Sequence, residues 1–292
     1  VVLIFGFTGI LGKLISIPSE NLVWYRMGMA SASLAAYLWF KGKSFKMPAK
    51  GIMSSLFTGG IIAAHWIFFF ESIKQSNVSI TLAALATSSL FTSLLEPLLF
   101  RRKVKAYELF LGSLVILGLY FIFQFETELS IGLLLGLIAA FLASLFTVIN
   151  GLLIKNYDSL RISFYELSGG ALAISIYLLA QNEPNWADFE MNFVDFWCLL
   201  ILSLLCTAFA FVASVKVMEE LSPFTVSLSI NLEPVYGIIL AVLFFGDDEK
   251  MSPGFYFGTF MILTALFINV LAKKRRNRKL KKNNSNASLP AP

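Results

Sequence analysis

Residues Ser222 to Glu249 read SPFTVSLSINLEPVYGIILAVLFFGDDE, a stretch apolar enough to cross a bilayer yet carrying Glu233 near its midpoint. Ser222 is placed to cap a helix whose first turn holds Pro223, where the missing N–H costs nothing. Roughly 20 mostly apolar residues follow, before Gly246 and the acidic run Asp247, Asp248 and Glu249. The stretch predicts one transmembrane helix. Pro234 cannot donate to the carbonyl of Ile230, which leaves an open acceptor at a depth where lipid offers no donor. A kinked, polar spot in mid-membrane has to face protein or water.

An ionised side chain at the bilayer centre costs about 3 kcal/mol on insertion scales, so such residues face a bundle interior or a cavity. Glu233 therefore has two readings: a substrate or proton site, or an assembly residue that hydrogen-bonds to Asn231 or a neighbouring helix.

The rest of the chain suits a membrane. Of 292 residues, 57% are hydrophobic and 14% charged, against about 25% charged in soluble domains. Cys198 and Cys206 lie more than two turns apart on one predicted helix, too far to bridge each other. Hydropathy gives ten spans, at about 1–16, 22–40, 51–70, 78–100, 105–124, 130–153, 162–180, 196–218, 223–245 and 252–272. The first span starts at Val1 without an initiator methionine, and we expect residues to precede it. No small-residue cleavage site marks a signal peptide.

Positive charge decides orientation. Lys41, Lys43, Lys46 and Lys50, then Arg101, Arg102, Lys103 and Lys105, then Lys155 and Arg161, and finally the tail KKRRNRKLKK from Lys273 to Lys282 fall on one side of the ten spans. The short loop with Glu219 and Glu220 falls there too and adds no support. Glu20, Glu126, Glu128, Glu183, Asp188, Glu190 and Asp247 to Glu249 fall on the other side, with Lys74 and Lys250 as positive exceptions. The positive-inside rule then puts both termini in the cytoplasm, with residues 273–292 a basic, disordered tail.

Two alignments suggest internal repetition. Asn21 to Phe40 sets over Arg161 to Ala180 without a gap and superposes Tyr25 on Tyr165 and Tyr37 on Tyr177. Trp66 to Phe91 sets over Phe211 to Tyr236 and lays Ser89 over Pro234. Five spans per half is an odd number, so the halves enter the membrane from opposite sides, a plan that transporters use to alternate access around a midplane site.

With ten spans in two halves, LEPVYGIILAVLFFGDDE in the ninth and YRMGMASASL in the second, the chain resembles the EamA branch of the drug/metabolite transporter superfamily over residues 1 to 272. The resemblance implies an all-α membrane protein of ten transmembrane helices: one five-helix repeat at 1–126, a second at 127–272, then the tail. It implies a secondary transporter, an exporter, of a small metabolite such as an amino acid across the cytoplasmic membrane. A nucleoside or sugar-nucleotide carrier of the same superfamily, or a sensor without turnover, is the alternative. The first-half counterpart departs from the family pattern, with Ser89 in place of the proline and Arg101 and Arg102 in place of Gly-Glu.

The polar residues within the spans are the candidate site. Glu233, Asn231, Tyr236, His65, Trp66 and Lys13 form the expected substrate-binding set. Pro234 and Pro97 are candidate kinks. Arg26 and Glu166, each one turn inside opposite faces, are candidate gates or interfacial residues. His65 reads either as a packing residue or as a cavity donor, and Trp66 either as a cavity wall or as part of the interfacial belt. The small residues from Met27 to Ser33 and from Leu167 to Ala173 read as close helix packing. Glu96 is expected to snorkel or to pair with Arg101 and Arg102.

Enzyme classes lack their signatures. One histidine cannot supply His-Glu-x-x-His, no span core holds an aspartate pair, and neither a nucleophile elbow nor a nucleotide-binding loop occurs. We expect no cofactor and no metal. The expected partners are the lipid bilayer, a small-molecule substrate and, as a candidate coupling ion, protons; nucleic acid is not expected.

Overall fold

The computed structural model describes residues 1–100, 106–126, 129–180, 186–265, 267, 268 and 271, and among them no strand occurs. The first helices are α1 (Val2–Leu14), α2 (Ser19–Phe40) and α3 (Ala49–Gln75). A broken span follows as α4 (Val78–Leu85) and α5 (Ser88–Leu99), and then come α6 (Ala106–Phe125), α7 (Ser130–Leu153) and α8 (Ser159–Leu179). The next span is α9 (Phe193–Ser203), a π-helical stretch Leu204–Phe209 and α10 (Ala210–Val217). The Ser222 stretch forms α11 (Pro223–Ile230) and α12 (Glu233–Phe245), and a last helix, α13, runs over 253–265.

Six of these stretches are long and apolar enough to cross a membrane: Ala49–Gln75, Val78–Leu99, Ser130–Leu153, Ser159–Leu179, Phe193–Val217 and Pro223–Glu249. Val2–Leu14 is apolar but, at about 20 Å, shorter than a hydrocarbon core. Large apolar side chains such as Phe57, Phe110, Tyr120, Leu179, Leu243 and Phe260 stand exposed on the outside. In water such a surface would aggregate; in lipid it is solvated. This is a multi-pass membrane protein. The basic residues 101–105, the acidic Glu128 and Glu183, and the tail 273–292 that entered the orientation argument lie outside the described residues.

The centre of the bundle is α3, packed on α8 and α7. Small residues permit the contact with α8. A Cβ on Gly59 would collide with the carbonyl oxygen of Glu166, and one on Gly169 would sit 2.6 Å from Leu56 Cα. The backbones therefore touch directly, as the LSGGALA stretch of α8 leads one to expect.

Two spans are broken, both at mid-length. In the second, the helix lapses at Asn231 and Leu232, just before Glu233 and Pro234, where the absent N–H of Pro234 had implied a kink. In the first, it lapses at Ala86 and Thr87, without proline or glycine. Pro97 instead sits within the last turns of α5, away from that break.

Two ends of the bundle can be told apart by their contacts. At one end, Lys13 pairs with Glu249 at 2.9 Å, and the Glu249 carboxylate accepts the N–H groups of Val78 at 2.9 Å and Ser79 at 2.8 Å. Asp195 accepts from the Ser16 amide and hydroxyl, both at 2.8 Å, and Lys74 donates to the Ile17 carbonyl. At the other end, Glu96 accepts the Phe224 N–H at 3.0 Å. Arg161 donates to the Ser44 carbonyl at 2.8 Å and Tyr165 to that of Phe45 at 2.9 Å. We call these the Lys13 end and the Glu96 end. Each broken span thus has the N-terminus of its first half capped by a carboxylate from the far end of the other, where free N–H groups favour negative charge.

Candidate functional site

Between the broken spans lies a cavity of about 100 Å³. Its walls come from α1 (Phe5, Thr8), α2 (Arg26), α3 (His65, Trp66), α7 (Phe146, Asn150), α10 (Phe211, Ser214) and the two breaks (Ser88, Glu233). It starts at mid-depth beside Arg26, Trp66 and Glu233 and runs past Asn150 and Ser214 toward Met218, at the Glu96 end. The Lys13–Glu249 pair and the Asp195 contacts at the Lys13 end are not among the cavity walls.

Arg26 is fully buried and held on three sides. Its Nε donates to Thr207 Oγ1 at 2.6 Å, and its guanidinium lies 3.9 Å from the Trp66 ring centre and 5.6 Å from that of Phe70. A hydrogen bond and two ring contacts at once suit a guanidinium better than an ammonium. Thr207 reaches Arg26 because it sits in the π-helical stretch, where its hydroxyl also donates to the Leu202 carbonyl at 2.8 Å. π-bulges of this kind gather at functional sites. The Nη1 of Arg26 has no hydrogen-bond partner. It is a buried charged donor without a partner, on a residue that lines the cavity.

Glu233 opens α12 and is almost wholly buried on the same cavity. It is the first residue of α12, the helix end whose dipole favours negative charge. His65 donates from Nδ1 to the Ala139 carbonyl at 2.8 Å, so Nε2 is left as an acceptor. Phe146 packs edge-on against the imidazole at 5.4 Å. Trp66 is buried against Arg26 and Phe211 rather than standing in an interfacial belt.

The structure thus brings Glu233, His65, Trp66 and Arg26 to one cavity, with the Pro234 break beside them. It does not bring the other candidates there. Asn231 donates to the Ala86 carbonyl at 2.9 Å and accepts from Ser88 at 3.1 Å, joining the two breaks. Tyr236 donates to the Val2 carbonyl and packs on Gly6. Lys13 pairs with Glu249 over the Phe245 ring at the Lys13 end. Glu166 is wholly buried behind the wall near Asn150. Glu96 caps α11. Sequence reasoning passed over Thr8 and Ser88 as cavity residues and Thr207 as the partner of Arg26; Asn150 stood out as a polar side chain inside a span but was given no role.

Comparison with known proteins agrees with this architecture. The EamA-like transporter family model matches residues 1–124 and again residues 130–271. An uncharacterized transporter of Archaeoglobus fulgidus is 24% identical over 87% of this chain and 88% of its own length. The uncharacterized transporter YxxF of Bacillus subtilis is 23% identical over 93% and 87%. A protein of known crystal structure, 15% identical, shares the fold with a TM-score of 0.67 over 94% of this chain and 95% of its own. Two successive matches to one family model take in nearly the whole chain, and the relatives named transporters align along most of their lengths: the chain belongs to the EamA-like transporter family.

Proposed function

We propose that the protein is a secondary transporter that exports a small zwitterionic metabolite, an amino acid or a close relative, by alternating access across the cytoplasmic membrane. The observation that carries this reading is a buried cavity lined by Arg26, whose Nη1 is unpartnered, and by Glu233. A guanidinium binds a carboxylate, and a carboxylate binds an ammonium group. The aromatic rings of Trp66, Phe69, Phe146 and Phe211 suit an apolar side chain between them.

The architecture we infer is ten spans as two five-helix repeats of inverted topology, 1–126 and 127–272, with both termini cytoplasmic. The two family matches support it, and so do the breaks. Setting Ser89 over Pro234 sets the break at Ala86 and Thr87 over that at Asn231 and Leu232. Broken helices paired across a midplane site are the device by which transporters expose backbone to a substrate. In this arrangement the Lys13 end is external and closed, and the cavity extends toward the cytoplasm.

The test is counterflow of labelled amino acids in proteoliposomes, with thermal unfolding of the purified protein against the same panel. Uptake of at least one amino acid by the parent protein, lost in Arg26→Gln and Glu233→Gln although both insert and fold, is the expected result. A panel that neither moves nor stabilises the parent protein would overturn the substrate class.

A further inference from the structure

Glu166 is the most costly unexplained residue in the fold. It lies wholly buried on α8, and neither carboxylate oxygen has a hydrogen-bond partner. Asn150 on α7, the polar side chain that interacts with it, has both side-chain polar atoms without a completed hydrogen bond. Two more orphans lie on the packed helices around it. Ser163, one turn before Glu166 on α8, is buried with its hydroxyl unpartnered, and so is Ser55 on α3. Ser55 stands one turn before Gly59, whose backbone abuts the Glu166 carbonyl. Buried polar atoms in native proteins are almost always satisfied. Here four unsatisfied side chains gather on three helices.

An ionised carboxylate with only the Asn150 side chain beside it is too expensive to keep at this depth. The charged side chains on the helices packed against α8 do not relieve it. Arg26 on α2 bonds to Thr207, Glu71 and Lys74 on α3 are bound at the Lys13 end, and Lys50 and Lys216 are exposed. The Glu166 oxygens make no hydrogen bond to any of them.

We propose that Glu166, Asn150, Ser163 and Ser55 form a second binding site, distinct from the cavity, for a monovalent cation, either a proton or a sodium ion. Carboxylate, amide and hydroxyl oxygens are hard donors, the set that takes such cations, whereas soft metals prefer thiolates. Asn150 also lines the cavity, so one side chain touches both sites and gives the cation a route to influence the substrate. Binding of the cation does not rest on the transport reading; only its use as a coupling ion does.

The test reads binding, not transport. The full chain in detergent is unfolded thermally at mildly acidic and mildly alkaline pH, in sodium chloride against choline chloride at equal ionic strength. The parent protein is expected to gain about 4 °C in its midpoint, on acidification for a proton or with sodium for that ion, and Glu166→Gln to lose the gain. A flat response in the parent protein, or a response kept in Glu166→Gln, overturns the proposal. Should Glu166→Gln not fold, the parent protein is treated with a hydrophobic carbodiimide, which reacts with protonated buried carboxyls, and the peptides are weighed. Modification of Glu166, suppressed by alkaline pH or by sodium, supports the site. An unmodified Glu166, or modification indifferent to both, overturns it.

Discussion

The Ser88 hydroxyl donates to the Asn231 side-chain oxygen at 3.1 Å, while the Asn231 amide donates to the Ala86 carbonyl at 2.9 Å. One side chain therefore satisfies groups set free by the break of the other span. Asn231→Ala is expected to leave the Ala86 carbonyl and the Ser88 hydroxyl unpaired and to cost about 1–2 kcal/mol. Thermal unfolding in detergent measures it, and an unchanged midpoint would show that the joint is incidental.

Arg26→Lys keeps the charge and forfeits the fork. An ammonium cannot donate to Thr207, stack flat on Trp66 and still present a donor to the cavity. Transport efficiency is expected to fall at least about tenfold, or about 1.4 kcal/mol, with insertion unaffected. Transport equal to that of the parent protein would remove Arg26 from the site.

The two partners at the closed end are unequal. Glu249→Ala removes the acceptor for Val78 and Ser79 as well as the mate of Lys13, with an expected cost of about 2 kcal/mol. Lys13→Ala leaves Glu249 with both amides and should cost less. Reversal of that order in thermal unfolding would mean that the ion pair, and not the cap, closes this end.

Adjacent glycines on α3 make a sharper comparison. Gly59→Ala forces a methyl into the α8 backbone and is expected to cost more than about 2 kcal/mol. Gly60→Ala meets nothing within 4 Å and is expected to be neutral or to stabilise by up to about 1 kcal/mol. Expression and thermal midpoint of the pair check this directly.

Topology is tested with tags. A tag in 41–50 and one at the C-terminus are expected on the cytoplasmic side, and one in 184–192 outside. Opposite accessibility of the first two to an impermeant thiol label would break the ten-span arrangement.

Much of this fold could be read from the chain, because length and apolarity dictate membrane helices, and because a charge inside an apolar span has few places to go. Glu233, Arg26 and His65 were conspicuous for that reason. The break at Pro234 follows from one missing N–H. The break at Ala86 and Thr87 was hidden, because ATSS is compatible with helix and the side chain that meets the Ala86 carbonyl, Asn231, lies across the bundle. Thr207 was hidden as well, since the shift from α to π spacing leaves no mark on composition. Lys13 was misleading in a different way: its mate Glu249 is 236 residues away, and nothing in either stretch names the other.

The glycine contact between α3 and α8 limits how the molecule can change shape. Where two backbones meet with no side chains between them, there are no rotamers to yield, and sliding would drive carbonyl into carbonyl. The pair must travel as a single beam, carrying His65, Trp66 and Glu166 together without changing their spacing. Bending is cheapest where helical hydrogen bonds have already been surrendered, at 86–87 and 231–232. Any reorientation of the cavity therefore turns about the Asn231 joint, with the beam as its lever arm and Glu233 beside the fulcrum.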